Sequence, residues 1–311
     1  MTGATTIAKP RRAAAKAGRT GDWSRRAPLL PALVFMLVVT QLPFLFTVFY
    51  SVQSWNLLRP GSRSFVGLAN YLAVFTDAQF LSAALNTIVI TASCVLVAML
   101  LGIGLAMLLD RRFLGRGIVR TLLITPFLVL PVATALLWKN IMFDPVFGLI
   151  GFLLTPFGLG GTDWISQYPV VSVVTALVWQ WTPFMMLLVL AGLQSQGRDV
   201  IEAGQVDGAG RWQMFVSITL PHLRRYIELG VLLGSIYVVN TFDAIYMMTQ
   251  GGPGTASANL PFYIYQRAFL GFDIGQSAAM GVVVVVGTII VATLALRLIF
   301  RSFMSAQEGI S

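Results

Sequence analysis

The amino-acid sequence predicts an all-helical integral membrane protein with six transmembrane helices and both termini in the cytoplasm. Three observations carry that reading. The first is composition: of 311 residues, 57% are hydrophobic and 11% charged, with a mean hydropathy of +0.80, far too apolar for a soluble domain of this length. The second is a set of six apolar stretches near residues 35–50, 84–109, 121–138, 170–193, 229–248 and 274–296. Each approaches the about 20 helical residues that cross a hydrocarbon core of about 30 Å. The third is charge placement. Seven Lys and Arg residues precede the first stretch, four follow the second (Arg111, Arg112, Arg116, Arg120), four follow the fourth (Arg198, Arg211, Arg224, Arg225) and two close the last (Arg297, Arg301). Only four lie on the other side (Arg59, Arg63, Lys139, Arg267), and the positive-inside rule assigns the richer side to the cytoplasm. A barrel is excluded, because the runs lack two-residue alternation and exceed the about 9–11 residues of a tilted strand.

The elements follow in order. Residues 1–27 are basic, rich in Ala and Thr and almost free of acids, which predicts a disordered cytoplasmic tail. A signal peptide does not fit, since the apolar run over 29–50 is too long for its core and no small-residue cleavage site follows. Residues 28–302 are expected to form one six-span domain, and 303–311 a short cytoplasmic tail. The inner connection 110–117 is short, so the helices it joins should be antiparallel neighbours. The outer connections 55–80, 143–169 and 250–273 each contain Gly and Pro, and are long enough for short interfacial helices and a partner surface. The net charge of +9 lies in the tail and short loops, where topology and anionic lipid head groups account for it without a nucleic-acid partner. Cys94 is the only cysteine, so no internal disulfide forms and a small packing role is expected. No internal repeat stands out. Gly230 and Gly234 would permit a close helix approach, either within the chain or to another membrane subunit.

No phosphate-cradling Gly-x-x-x-x-Gly-Lys segment occurs, nor any Gly-Lys pair. Any ATP dependence therefore belongs to another protein, and no cofactor is expected on this chain. His222 is the only histidine and lacks companions for a zinc site or a catalytic triad, so a solvated residue at the membrane surface is expected. No cluster of acids at the inner face supports a membrane-embedded transferase. What remains is a polar island over residues 195–221. After Gly197, residues 198–206 suit a short amphipathic helix, with Glu202 early enough to favour its dipole. Gly208 and Gly210 allow a sharp turn, and Asp207 is placed to cap a segment starting near Ala209. Any inner loop needs polar residues and caps, so these features alone leave a purely structural role open.

The pattern Glu202-Ala203-x-x-x-Asp207-Gly208-Ala209, a gap of five, then Phe215, Ile218 and Leu220-Pro221 resembles the EAA signature of membrane subunits of ABC importers. The third position, often Ala, is Gly204 here, which loosens a helix by up to about 1 kcal/mol. The resemblance implies that Glu202, Ala203, Gly204, Asp207, Gly208 and Ala209 form a coupling helix, between spans four and five, that docks on an ATPase subunit. Further likenesses to carbohydrate importer permeases are Phe65-Val66-Gly67-Leu68-Ala69-Asn70-Tyr71, Leu85-Asn86-Thr87 and Met248-Thr249-Gln250-Gly251-Gly252-Pro253. Asn259-Leu260-Pro261-Phe262-Tyr263-Ile264-Tyr265, with Phe272-Asp273-Ile274-Gly275-Gln276, looks most like the polyol (sorbitol/mannitol) branch. The family implies a multi-pass subunit of the bacterial inner membrane, paired with a second homologous permease, two ATPase subunits that hold ATP and Mg, and an extracytoplasmic solute-binding protein.

Polar residues within spans are costly and usually face an interior or a water-filled path. On a continuous helix Asn240, Asp243, Met247 and Gln250 would share a face, with Tyr246 one turn from Asp243. These groups suit sugar hydroxyls, or a buried network between helices. Trp179 and Trp181, close to Pro183, offer faces for sugar C–H surfaces or plain packing. The alternatives are a disaccharide or other sugar permease of the same family, or an ion-coupled secondary transporter using Asp243 or Glu228.

Overall fold

The structure is a computed structural model that describes residues 27–59, 61 and 63–308. The tail expected over residues 1–27 lies outside these except for Ala27, as do the last three residues. The chain divides into two compact units, Met1–Phe49 and Tyr50–Ser311. The described part of the first holds most of helix α1 (Leu30–Ser51), an apolar helix containing Pro43. Thr40 and Thr47 turn their hydroxyls back onto the Met36 and Pro43 carbonyls at 2.7 and 2.9 Å, so neither hydroxyl hydrogen lacks an acceptor on an otherwise apolar surface.

In the second unit, a small antiparallel pair, β1 (Gln53–Ser54) and β2 (Ser64–Phe65), precedes helices α2 (Ala69–Thr76) and α3 (Ala78–Asp110). Asn70 donates to both the Ser51 and Gln53 carbonyls at 2.8 Å, fixing this corner. Asp77 caps α3, accepting from the Gln79 and Phe80 amides. At 33 residues and about 1.5 Å per residue, α3 outlasts the hydrocarbon core.

Helix α4 (Arg116–Leu128) and α5 (Pro131–Leu137), which continues as a wide turn Trp138–Met142, meet at a 99° bend. The uninterrupted third span expected over 121–138 is therefore broken. Pro131 sits in the first turn of α5 and donates no amide hydrogen. Gln180, buried on a neighbouring helix, donates to the Val129 carbonyl at the bend (3.1 Å). Short helices α6 (Leu149–Leu154) and α7 (Trp164–Gln167) lead to α8 (Pro169–Gln194).

After the polar hairpin described below, α11 (Leu220–Val239) ends at Asn240. The fifth span expected over 229–248 is also broken, since Thr241 and Phe242 are not helical and the chain resumes as a short helical segment from 243 to 249. Helix α12 (Leu260–Tyr265) and the long α13 (Ile274–Glu308) complete the chain.

The core lies between α3, α8 and α11. Gly102 of α3 sits so close to α8 that an added Cβ would stand 2.8 Å from Met185 Cβ and 2.9 Å from the Met186 nitrogen. Gly230 and Gly234 of α11 face the side-chain ends of Met99 and Met185, so this pair serves packing within the chain. Cys94 is fully buried among them. Among the described residues three helices are long and apolar enough to cross a membrane, α1, α3 and α8, and the bent α4–α5 pair adds a fourth if it forms one span rather than a re-entrant loop. Arg224, Arg225 and Glu228 set α11 apart from these in composition, whereas the apolar run of α13 continues to Leu296 in the sequence.

Candidate functional site

The polar island folds as a helical hairpin. Helix α9 (Arg198–Val206) starts after Gly197, with Asp199 in its first turn where a carboxylate suits the dipole. Its end is closed by three backbone bonds: Asp207 to Ala203 (3.0 Å), Gly208 to Gln205 (3.1 Å) and Ala209 to Gly204 (3.0 Å). The last two are the paired bonds of a Schellman turn, and Gly208 takes the left-handed position at φ +80°. Asp207 thus ends α9; the expected capping of the next helix is not seen, because α10 (Arg211–Met214) starts from Gly210 without a side-chain cap. A wide turn, Phe215–Thr219, joins α10 to α11 without a break.

Gly204 is the inward residue of this hairpin. A Cβ there would stand 2.7 Å from Met214 Sδ and 2.8 Å from Ile218 Cδ1, so the departure from the usual Ala lets α9 lie against the returning chain. Glu202, Ala203, Asp207 and Gly208 are exposed, and Ala209 is half-buried. The hairpin therefore presents two carboxylates and small residues outward, backed by a packed rear face.

At its foot, the hairpin is tied shut. Ser195 Oγ lies 2.8 Å from the Gly192 carbonyl, 2.8 Å from the Tyr226 hydroxyl and 3.1 Å from His222 Nε2. His222 Nε2 is also 3.1 Å from the Gly192 carbonyl. His222 is half-buried and bonded, rather than the solvated residue expected. Arg224 and Glu228 pair at 2.9 Å one turn further along.

The break in α11 separates the residues expected to line a solute path. Asn240 closes α11, its amide donating to the Ile236 carbonyl at 2.7 Å. Asp243, Tyr246 and Met247 share the short segment beyond the break, and the wide turn that follows carries Gln250 out of the predicted face into an exposed left-handed position at φ 50°. Asp243 is half-buried, and its carboxylate has no hydrogen-bond or ion-pair partner among the described residues. Tyr246 stacks on Phe242 (5.2 Å between ring centroids) and meets Tyr265 edge-on (5.5 Å). Trp181 stacks on Tyr237 at 5.3 Å and touches Phe127 and Phe184, so it joins α4, α8 and α11. Trp179 meets Trp138 edge-on at 6.0 Å, and the aromatic run continues through Phe143 to Trp164. The indole N–H groups of Trp138 and Trp164 are buried without a partner among the described residues. Sequence reading overlooked both, as well as Lys139, whose ammonium donates to the Met247 carbonyl at 3.2 Å. Lys139 was readable as one more outer-face charge, and only the bend of α5 turns it toward the broken helix.

An outer network anchors the segment after Gln250. Asn86 of α3 donates to the Thr255 and Ala258 carbonyls at 3.0 Å, and Thr87 accepts from the Leu260 amide at 2.9 Å. Asn259 caps α12 and also donates to the Thr241 carbonyl in the break. Asp77 Oδ2 accepts from the Tyr263 hydroxyl (2.7 Å) and Arg267 (2.8 Å), and Arg267 Nε donates to Tyr263 at 2.8 Å. Burial opposes ionisation of Asp77, but these bonds and the cap amides outweigh it and hold the carboxyl below its ordinary value. Burial, followed by the bond to Asp77, pushes Tyr263 up to about 12.

An exposed hairpin carrying Glu202 and Asp207 between two packed apolar helices, together with broken helices further along the chain, fits a binding-protein-dependent membrane permease. Residues 98–304 match the family described as binding-protein-dependent transport system inner membrane component, and the chain belongs to that family. It is 37% identical over 89% of both chains to a probable ABC transporter permease of Sinorhizobium fredii. Across 82% of this chain and 86% of the relative, it is 34% identical to the trehalose/maltose transport system permease protein MalF of Thermococcus litoralis. Its fold is shared with a chain of a bacterial alginate ABC transporter solved with an alginate pentasaccharide-bound periplasmic protein, with a TM-score of 0.76, 23% identity and coverage of 88% of this chain and 93% of that one.

Proposed function

We propose that the chain is a membrane subunit of an ATP-driven bacterial importer for a small carbohydrate. It crosses the membrane six times with both termini in the cytoplasm and pairs with a second, homologous permease. Two separate ATPase subunits hold ATP and Mg, and a binding protein outside the membrane delivers the solute. The observation that carries this reading is the hairpin. Glu202, Ala203, Gly204, Asp207, Gly208 and Ala209 form a self-supporting knob whose outward groups find no use within the described residues. Such a knob fits a groove on an ATPase and has no role in merely spanning a bilayer.

The solute path runs past the break in α11, where the unpaired Asp243 carboxylate, Asn240, Tyr246, Met247, Gln250 and the Trp179 and Trp181 rings supply hydrogen bonds and aromatic faces. A polyol is the cargo suggested by the Asn259-Leu260-Pro261 segment and its neighbours. A disaccharide is favoured instead by the trehalose/maltose name of one relative.

The test is to assemble the chain with its ATPase, second permease and binding protein, then to measure ATP hydrolysis stimulated by the solute-loaded binding protein across a panel of polyols and disaccharides. Glu202→Lys and Asp207→Lys should abolish stimulation. Wild-type stimulation in both variants refutes the docking role, and uptake into ATP-free vesicles driven by an ion gradient refutes the importer reading altogether.

A further inference from the structure

The two ends of the hairpin are built differently. On the returning side, residues 211–239 are helical throughout, so a displacement of the hairpin passes directly into α11. On the outgoing side, Ser195, Gln196 and Gly197 are not helical. A three-residue non-helical link transmits a push poorly, so α8 would lag behind α11 unless something else joins them.

The cluster of Ser195, His222 and Tyr226 bridges that gap. The Tyr226 ring can reach it because Gly192 has no side chain: a Cβ there would stand 2.7 Å from both Tyr226 Cδ2 and Leu223 Cδ2. The Gly192 carbonyl can only accept, so its contact with His222 requires a proton on Nε2. Ser195 then donates to the same carbonyl and accepts from Tyr226, which gives the Nε2–H and both hydroxyl hydrogens of the cluster an acceptor.

We propose that Ser195, His222 and Tyr226 are positioning residues that clamp the end of α8 to the start of α11, so that the hairpin moves both helices as one lever. This inference rests on the importer reading. Its consequence is that movement at Glu202 reaches Trp179 and Trp181 through α8 and Asn240, at the end of α11, in step.

The experiment uses the complete importer in proteoliposomes, reading solute uptake and ATP hydrolysis together. Ser195→Ala and His222→Phe should keep stimulated hydrolysis but lower uptake per ATP by about two- to tenfold, the range for losing one or two hydrogen bonds. His222→Gln, which keeps a donor near the Nε2 position, should restore it. In a Cys94→Ala background, spin labels at the exposed positions Ala191 and Gln205 should give a broader distance distribution in the Ser195→Ala variant. Tyr226→Phe removes a single hydroxyl and serves if a larger change prevents assembly. An unchanged ratio of uptake to hydrolysis and an unchanged distance distribution overturn the clamp. Wild-type protein without ATP-dependent uptake, or Glu202→Lys with normal stimulation, would instead remove the importer reading.

Discussion

Replacing Gly102 with Ala tests the packing that holds the two central helices together. The new methyl would lie 2.8 Å from Met185 Cβ, 2.9 Å from the Met186 nitrogen and 3.0 Å from the Met185 carbonyl carbon. Optimal contacts between heavy atoms lie at about 3.5–4.0 Å, and none of these partners is the free end of a side chain. Relief must come from moving α3 away from α8 by a few tenths of an ångström or more, which loosens the buried Met185, Met186 and Val189. Over-packing of this kind costs about 1–3 kcal/mol, and the tight backbone contact points to the upper part of that range. The gain in helix propensity returns about 1 kcal/mol, which leaves a net loss of about 2 kcal/mol.

Gly234→Ala is the internal control. Its Cβ would meet Met185 Cε at a closer distance, 2.3 Å, but the next atom is 3.6 Å away. A terminal Met methyl swings aside at little cost, so this variant should be near neutral. Thermal unfolding of the purified chain in detergent, followed by intrinsic Trp fluorescence, should place Gly102→Ala several degrees below wild type and Gly234→Ala within about 2 °C of it. Equal melting temperatures for the two variants, or an order following the shorter distance, would refute the argument that backbone contact decides the outcome.

The other predictions rest on single interactions. Asp77 has a folded-state pKa below its unfolded value, so its stabilising contribution is present above about pH 4 and is lost as the pH falls through the lower folded value. The stability advantage of wild type over Asp77→Asn should therefore shrink on acidification below about pH 4 and stay constant above it, as read by melting temperature across pH. Gly208→Ala places a Cβ in the left-handed position that closes α9 and should cost about 1–2 kcal/mol, seen as loss of stimulated ATP hydrolysis with the membrane helices intact by circular dichroism. Gln180→Leu and Asn259→Leu each strip a donor from a carbonyl at a helix break; each should lower the melting temperature more than Gln213→Leu, an exposed control.

The helical membrane class could be read from residue order, because lipid forces long apolar runs to declare themselves. The hairpin was equally legible: its glycines and carboxylates stand close together in sequence, and the forces that fold it act over a few residues. Gly204 shows the limit even there. Propensity marks it as a weak point in a helix, whereas its actual use is the contact with Met214 and Ile218, ten and fourteen residues away.

The helix breaks lay beyond such reading for the same reason. A stretch such as residues 229–248 has no proline, and a period of 3.6 residues carries it straight through Asn240, aligning Asn240, Asp243, Met247 and Gln250. The groups that sustain the breaks come from elsewhere in the chain: Gln180 reaches Val129 across 51 residues, and Asn259 reaches Thr241 across 18. In lipid an unmet carbonyl costs several kcal/mol, so a helix can open at membrane depth only where another element brings a donor. The segments that resemble carbohydrate importer permeases, including the one that looks most like the polyol branch, acquire a different meaning as a result. Asn86, Thr87 and Asn259 spend their side chains on backbone carbonyls and amides, holding the outer segment against α3 and meeting the Thr241 carbonyl at the break, while Asn70 ties the corner at Ser51 and Gln53. Their likeness to one branch is therefore accounted for by backbone contacts; under the importer proposal, the choice of solute would fall to groups such as the Asp243 carboxylate, which has no partner among the described residues.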